Sequence, residues 1–113
     1  MGVRSWTDEV QAELRAFARA RDWEQYHTPR NLAALIASEA GELLAHFRWG
    51  DDALADRPEA VRDELADVLL GVLRFADVAG IDLDEACRAK IEKNGRKYPV
   101  DEGAQVREAR TRS

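Results

Sequence analysis

The sequence predicts an all-α domain, a four-helix bundle completed by oligomerisation. Three observations point there. Leu32, Leu35, Glu39, Glu42, His46 and Trp49 advance by alternating steps of three and four, which lays them along one stripe of a helix. Helix-start signals precede each periodic run: Ser5, Thr28-Pro29, Pro58 and Asp82. No stretch alternates apolar and polar residues in the manner of a strand.

The chain has 113 residues, the size of one domain with a modest core. Residues 1–100 are expected to form that domain and residues 101–113, polar and aperiodic, a flexible tail. The net charge of −5 speaks against a nucleic-acid polymer as partner. The single cysteine, Cys87, excludes an intrachain disulfide and a cysteine zinc site, and is expected to be a small buried packing residue. No apolar run reaches spanning length. A cytoplasmic protein without a membrane partner is expected.

Helix one should run from Ser5 to about Asp22, with Ser5 as cap and Asp8 at N3. Its inner stripe is Trp6, Val10, Leu14 and Phe17. A glycine-free connection follows, Trp23-Glu24-Gln25-Tyr26-His27, rich in aromatic and polar groups. Thr28 caps helix two, and Pro29 sits at N1, where its missing N–H costs nothing. That helix should reach about Trp49, with Gly50 at C′, and residues 50–57 should form an acidic loop.

Helix three spans about Pro58 to the residue before Gly80. Its middle, Val68-Leu69-Leu70-Gly71-Val72-Leu73, is apolar all round and must be buried all round. A second subunit is expected to cover it, with Gly71 permitting close approach there. Asp82 and Glu85 open helix four, which carries Lys90, Lys93 and Asn94 and ends between Gly95 and Pro99.

The chemistry lies in two acidic pairs. Glu39 and Glu42 interrupt one apolar stripe, and Glu64 and Asp67 interrupt another, both at i,i+3 spacing. Buried carboxylates are costly unless paired or metal-bound. Pairing with Arg48, Arg62 or Arg74 would be the plain explanation for any one of them. Two such pairs favour a hard-cation site of oxygens only, which selects Mg²⁺ or Mn²⁺ over zinc. Mg²⁺ commonly shares its sphere with substrate phosphates, so phosphoryl chemistry on a nucleotide-like substrate is indicated. A di-iron bundle needs two E-x-x-H pairs, and the chain offers only Glu24 and His27, in a connection. Trp23 and Trp49 could sandwich a base or serve as ordinary rim aromatics. Lys90, Lys93, Arg96 and Lys97 form either a solvated face or a phosphate clamp around Asn94.

The pattern Glu39-x-x-Glu42 followed by Glu64-x-x-Asp67 resembles the metal signature of the all-α nucleoside triphosphate pyrophosphohydrolases, the MazG-like superfamily. The resemblance spans about residues 5–99 and is nearest to the dCTP pyrophosphatase branch. It is carried by RDWEQYHTPRNLA, SEAGELLAHFRW, DELADVL and KIEKNGRKYP. It implies a homodimer or homotetramer and Mg²⁺-dependent cleavage between the α and β phosphates, giving a nucleoside monophosphate and pyrophosphate. By position it makes Glu39, Glu42, Glu64 and Asp67 the metal ligands and catalytic acids. It places Trp23, Glu24, Gln25, Tyr26, His27 and Trp49 at the base and sugar, and Lys90 and Asn94 at phosphate, with Lys97 and Tyr98 in a closing motif.

The chain departs from the wider superfamily at one place, where the dCTP-type branch often does too, and from that branch at two. Ser38 stands where many superfamily members have a further Glu. Leu14 replaces a His, and Gly71 replaces a substrate-contacting Tyr. The last two imply a looser base preference than dCTP alone. Activity on dUTP or a damaged pyrimidine triphosphate is the rival within enzymes, and a non-catalytic helical dimerisation module is the rival outside them.

Overall fold

Local capping decides where each helix begins. In the computed structural model, which describes residues 5–100, Ser5 Oγ accepts from the Asp8 backbone N–H at 3.1 Å, and the Asp8 carboxylate accepts from the Ser5 N–H at 3.3 Å. This closed box starts α1 (Trp6–Ala20). Thr28 Oγ1 accepts from Asn31 N–H at 3.2 Å and starts α2 (Pro29–His46). Short α3 (Ala53–Asp56) and long α4 (Pro58–Ala79) follow, and Asp82 caps α5 (Leu83–Lys97). All regular elements among the described residues are helical, as expected. The tail expected over 101–113 lies outside the described residues.

The end of α1 explains how a connection without glycine turns so sharply. Asp22 takes the left-handed conformation, φ 57°, which Asp tolerates better than most residues. Its N–H returns to Arg19 O at 3.1 Å, and the Trp23 N–H to Ala18 O at 2.9 Å. This pair of bonds is the Schellman closure. It folds Trp23 back beside α1 and leads into a single 3-10 turn, Glu24–Tyr26.

The chain divides into two compact units, one ending at Ile81 and one starting at Asp82. In the first, α2 packs along α4, α1 crosses α4, and α3 rests on α4. Ala18, Leu32, Ala53, Val61, Leu73 and Ala76 are its buried apolar centre. A Cβ on Gly71 would come within 3.1 Å of Ile36 Cγ1, so this glycine lets α2 and α4 of one chain approach closely. The expectation that Gly71 serves an intersubunit approach is corrected accordingly. The second unit, by itself, is a helix without buried residues, laced by the i,i+4 pairs Arg88–Asp84 and Arg96–Glu92.

Several boundaries differ from expectation. Helix two stops at His46 rather than Trp49, because tight turns take over: Phe47 N–H bonds Leu44 O and Gly50 N–H bonds Phe47 O. Arg57 Nη2 donates to the freed His46 carbonyl at 3.1 Å. The expected acidic loop contains α3, whose Ala53 is buried. The buried edge of α1 runs through Leu14 and Ala18, while Trp6 and Phe17 are exposed. Gln11 occupies part of that inner edge and donates to Leu73 O at 2.9 Å. Cys87 is exposed rather than buried. The apolar middle of α4 is only partly covered: Leu73 is buried, whereas Leu65 and Leu69 are exposed.

Candidate functional site

Side-by-side packing of α2 and α4 converts two i,i+3 spacings into one acidic cluster. Glu39 of α2 and Glu64 and Asp67 of α4 bring one carboxylate oxygen each to within 4.8 Å of one another. Glu39 and Glu64 are half-buried, and Glu42 and Asp67 are exposed. Glu42 stands outside that trio but beside Glu64. The Glu64 carboxyl is pushed up to about 7, first by its bond to Glu42, then by burial and by Glu39. Crowded carboxylates cannot all ionise cheaply.

Among the described residues, no ion pair reaches any of these four acids. Arg74, the cation closest to them in the sequence of α4 after Arg62, pairs with Asp77 at 3.2 Å instead. Glu39 Oε2 and Glu64 Oε1 are fully buried and have no hydrogen-bond partner. Such orphaned oxygens need an explanation. A metal ion held by the cluster would supply one, and oxygen-only ligands fit a hard divalent cation.

A cavity of about 210 Å³ opens from this cluster. Leu14, Phe17 and Trp23 form one wall, Leu32 and Leu35 of α2 another, and Leu70 and Gly71 of α4 a third. Glu39 and Asp67 stand at one end, and His27 and Arg74 also line the cavity. Asp67, Leu70, Gly71 and Arg74 follow one stripe of α4. Asp67 and Arg74 are two turns apart, about 10 Å along the axis. The cavity is therefore apolar along its length and polar at two separated ends.

The guanidinium at the far end is held from two sides. Arg74 Nε donates to His27 Nδ1 at 2.9 Å, and Arg74 Nη1 to Asp77 Oδ2 at 3.2 Å. Asp77 Oδ1 accepts from Arg15 Nη1 at 2.7 Å. His27 is held below the ordinary imidazole value, first by burial and then by the Arg74 charge, with Glu24 pulling the other way.

Of the connection residues, Trp23 and His27 line the cavity. Trp23 packs edge-on against Phe17, with centroids 5.7 Å apart, and against His27 at 6.5 Å. Glu24 pairs with Arg19 at 2.9 Å, Gln25 bonds Asp22, and Tyr26 is exposed; these three do not line it. Trp49 is 92% exposed and lies past the other end of α2, an 18-residue helix about 27 Å long. Trp23 and Trp49 of one chain thus cannot sandwich one base. In the second unit, Lys90, Asn94 and Lys97 fall on one stripe of α5 and are exposed. Lys97 Nζ lies 5.3 Å from the centroid of the Tyr98 ring.

Sequence reasoning missed Arg74 as a cavity residue and Asp77 as its anchor. The signal was present: Arg74 is the one charge in the greasiest part of α4, seven residues after Asp67 and so on the same stripe. Leu14 and Gly71, the two departures from the dCTP-type branch, both line the cavity.

Among the described residues, no helix is long and apolar enough to cross a membrane. The chain is similar to dCTP pyrophosphatase 1 of Bos taurus, 40% identical over 91 residues, covering 74% of this chain and 54% of that protein. It thus spans about half the length of that relative. It is also 34% identical to a dATP/dGTP diphosphohydrolase of Cyanophage S-2L over 86 residues, 76% of this chain and 70% of that protein. The crystal structure of a pyrophosphatase from Archaeoglobus fulgidus superposes with a TM-score of 0.82 at 40% identity, covering 88% of this chain and 98% of that one. The MazG-like family model matches residues 34–111, a span that contains Glu39, Glu42, Glu64 and Asp67, and the chain belongs to the MazG-like family.

Proposed function

We propose that the chain is a Mg²⁺-dependent nucleoside triphosphate pyrophosphohydrolase. It would cleave pyrimidine deoxynucleoside triphosphates, the class to which dCTP belongs, between the α and β phosphates, to the monophosphate and pyrophosphate. One observation carries this: two buried, partnerless carboxylate oxygens, on Glu39 and Glu64, in an acidic cluster whose Glu39 and Asp67 line an apolar cavity of about 210 Å³. The names of the relatives support the same class of reaction.

Glu39, Glu64 and Asp67 would hold the metal, with Glu42 flanking Glu64; Mn²⁺ suits the same ligands. Mg²⁺ held there would supply positive charge against the four carboxylates and the triphosphate. The chain does the rest by positioning, which is most of what phosphoryl transfer asks. Leu32, Leu35 and Leu70 exclude water from the base. Trp23, 44% exposed, offers a face for stacking. One of the carboxylates takes the proton of the attacking water.

Lys90, Asn94, Lys97 and Tyr98 are proposed as ligands of the phosphate tail. Trp49 does not line the cavity of its own chain, so its proposed place is the base site of a second copy in a homodimer or homotetramer. Exposed Leu65 and Leu69, one turn apart on α4, suit such an assembly. A cytoplasmic location fits the one exposed free thiol.

The test is turnover of a panel of deoxy- and ribonucleoside triphosphates with Mg²⁺. Turnover of deoxypyrimidine triphosphates above the others supports the proposal. Inactivity toward the whole panel would overturn it in favour of a non-catalytic dimerisation module.

A further inference from the structure

The polar end of the cavity opposite the acids has an unusual composition: it contains donors only. Arginine carries no acceptor. Whichever imidazole nitrogen meets Arg74 Nε must therefore be the unprotonated one, and here it is Nδ1, at 2.9 Å. His27 then carries its proton on Nε2 and can only donate from there. Burial and the Arg74 charge both keep the ring neutral, so this tautomer persists at neutral pH. The nearby carboxylate, Asp77, engages Arg15 with one oxygen and Arg74 with the other and does not line the cavity. Glu24 gives one oxygen to Arg19 and does not line the cavity either. No acceptor among these side chains is left for the cavity.

A nucleotide bound with its phosphates at Glu39 and Asp67 points the base edge farthest from the sugar towards this end. That edge is position 4 of a pyrimidine or position 6 of a purine. An oxo group there meets donors. An amino group there sets donor against donor, and both sides lose their partners in a dry site.

We propose that Arg74, by donating to His27, makes this end of the cavity a reader of oxo-bearing bases, selecting uracil or thymine over cytosine. Arg74 acts as a positioning residue and His27 as the contact. The selection rests on the nucleotide reading of the cavity given above, but it names residues that the acid signature does not contain. It also gives the pocket a polar discriminator in place of the side chains missing at Leu14 and Gly71.

The experiment compares kcat/KM for dUTP against dCTP, and for dITP against dATP, in wild type, Arg74→Met and His27→Phe. The oxo member of each pair is expected to lead by at least about ten-fold in wild type. Both variants should bring the ratios towards one, mainly through KM for the oxo substrate. ¹⁵N NMR of the histidines at pH 7.5 should show His27 as the neutral Nε2–H tautomer, and Arg74→Met should lose that preference. Should Arg74→Met not fold, the wild-type ratios, His27→Phe and the tautomer still decide. Ratios near one or favouring the amino base in wild type, ratios untouched by both substitutions, or an Nδ1–H tautomer would overturn the inference while leaving the hydrolase in place. A wild type that hydrolyses no triphosphate would remove both.

Discussion

Glu39 of α2 and Glu64 of α4 bring carboxylate oxygens within 4.8 Å of each other across the helix seam, and each keeps one buried oxygen without a partner. Two like charges in that position oppose folding rather than assist it. The proposed metal would explain their presence between the core helices.

Glu42→Gln and Asp67→Asn should each abolish triphosphate hydrolysis while leaving the helical circular dichroism unchanged. Each swap keeps the shape of the side chain and removes a charge: at Asp67 from a proposed ligand, at Glu42 from the carboxylate beside Glu64. Both should also raise the melting temperature of the metal-free protein by relieving repulsion. Full activity in both single variants would contradict the assignment of the acids.

The same crowding sets a pH dependence. Glu64 in the fold titrates at about 7, against 4.5 for the ordinary group. A carboxyl whose folded value is raised contributes stability that is present below its unfolded value and lost as pH rises through the folded one. The metal-free protein should therefore lose melting temperature between about pH 4.5 and 7. Glu64→Gln should flatten that slope, and saturating Mg²⁺ should offset it. A melting temperature that rises across this window in the wild type and is unchanged by Glu64→Gln would refute the prediction.

Much of this was legible from residue order alone. The acids stood out because charge in an apolar helical stripe has few physical excuses. The starts of α1, α2 and α5 followed from caps that satisfy local N–H groups. What escaped depends on contacts between elements. Arg74 was considered only as a partner for the acids, yet its pairing is decided by where α1 brings Arg15 and where the turn before α2 brings His27. Gly71 looked like an intersubunit feature because nothing local says that Ile36 lies 3.1 Å from its absent Cβ. Trp6 and Phe17 match a helical stripe, but the helix is rotated so that Ala18 is the buried residue.

Trp23 should carry much of the base affinity. Stacking on one aromatic face contributes about 1–3 kcal/mol, so Trp23→Ala should raise KM by roughly ten-fold or more with a smaller change in kcat. Steady-state kinetics on dUTP and dCTP would show it. An unchanged KM would place the base elsewhere.

Leu65 and Leu69 are 57% and 44% exposed on the helix whose middle is apolar all round. Sedimentation at micromolar concentration should find a dimer or tetramer. The Leu65→Glu, Leu69→Glu double variant should shift it to monomer. A wild type that sediments as a folded monomer would contradict assembly through this face.

The most direct measurement is ³¹P NMR of the wild-type protein turning over a deoxypyrimidine triphosphate, with Mg²⁺ and then with excess chelator. The site predicts nucleoside monophosphate and pyrophosphate in equal amounts with Mg²⁺, and no turnover once the metal is removed. Release of nucleoside diphosphate and inorganic phosphate, or turnover that persists in chelator, would contradict it.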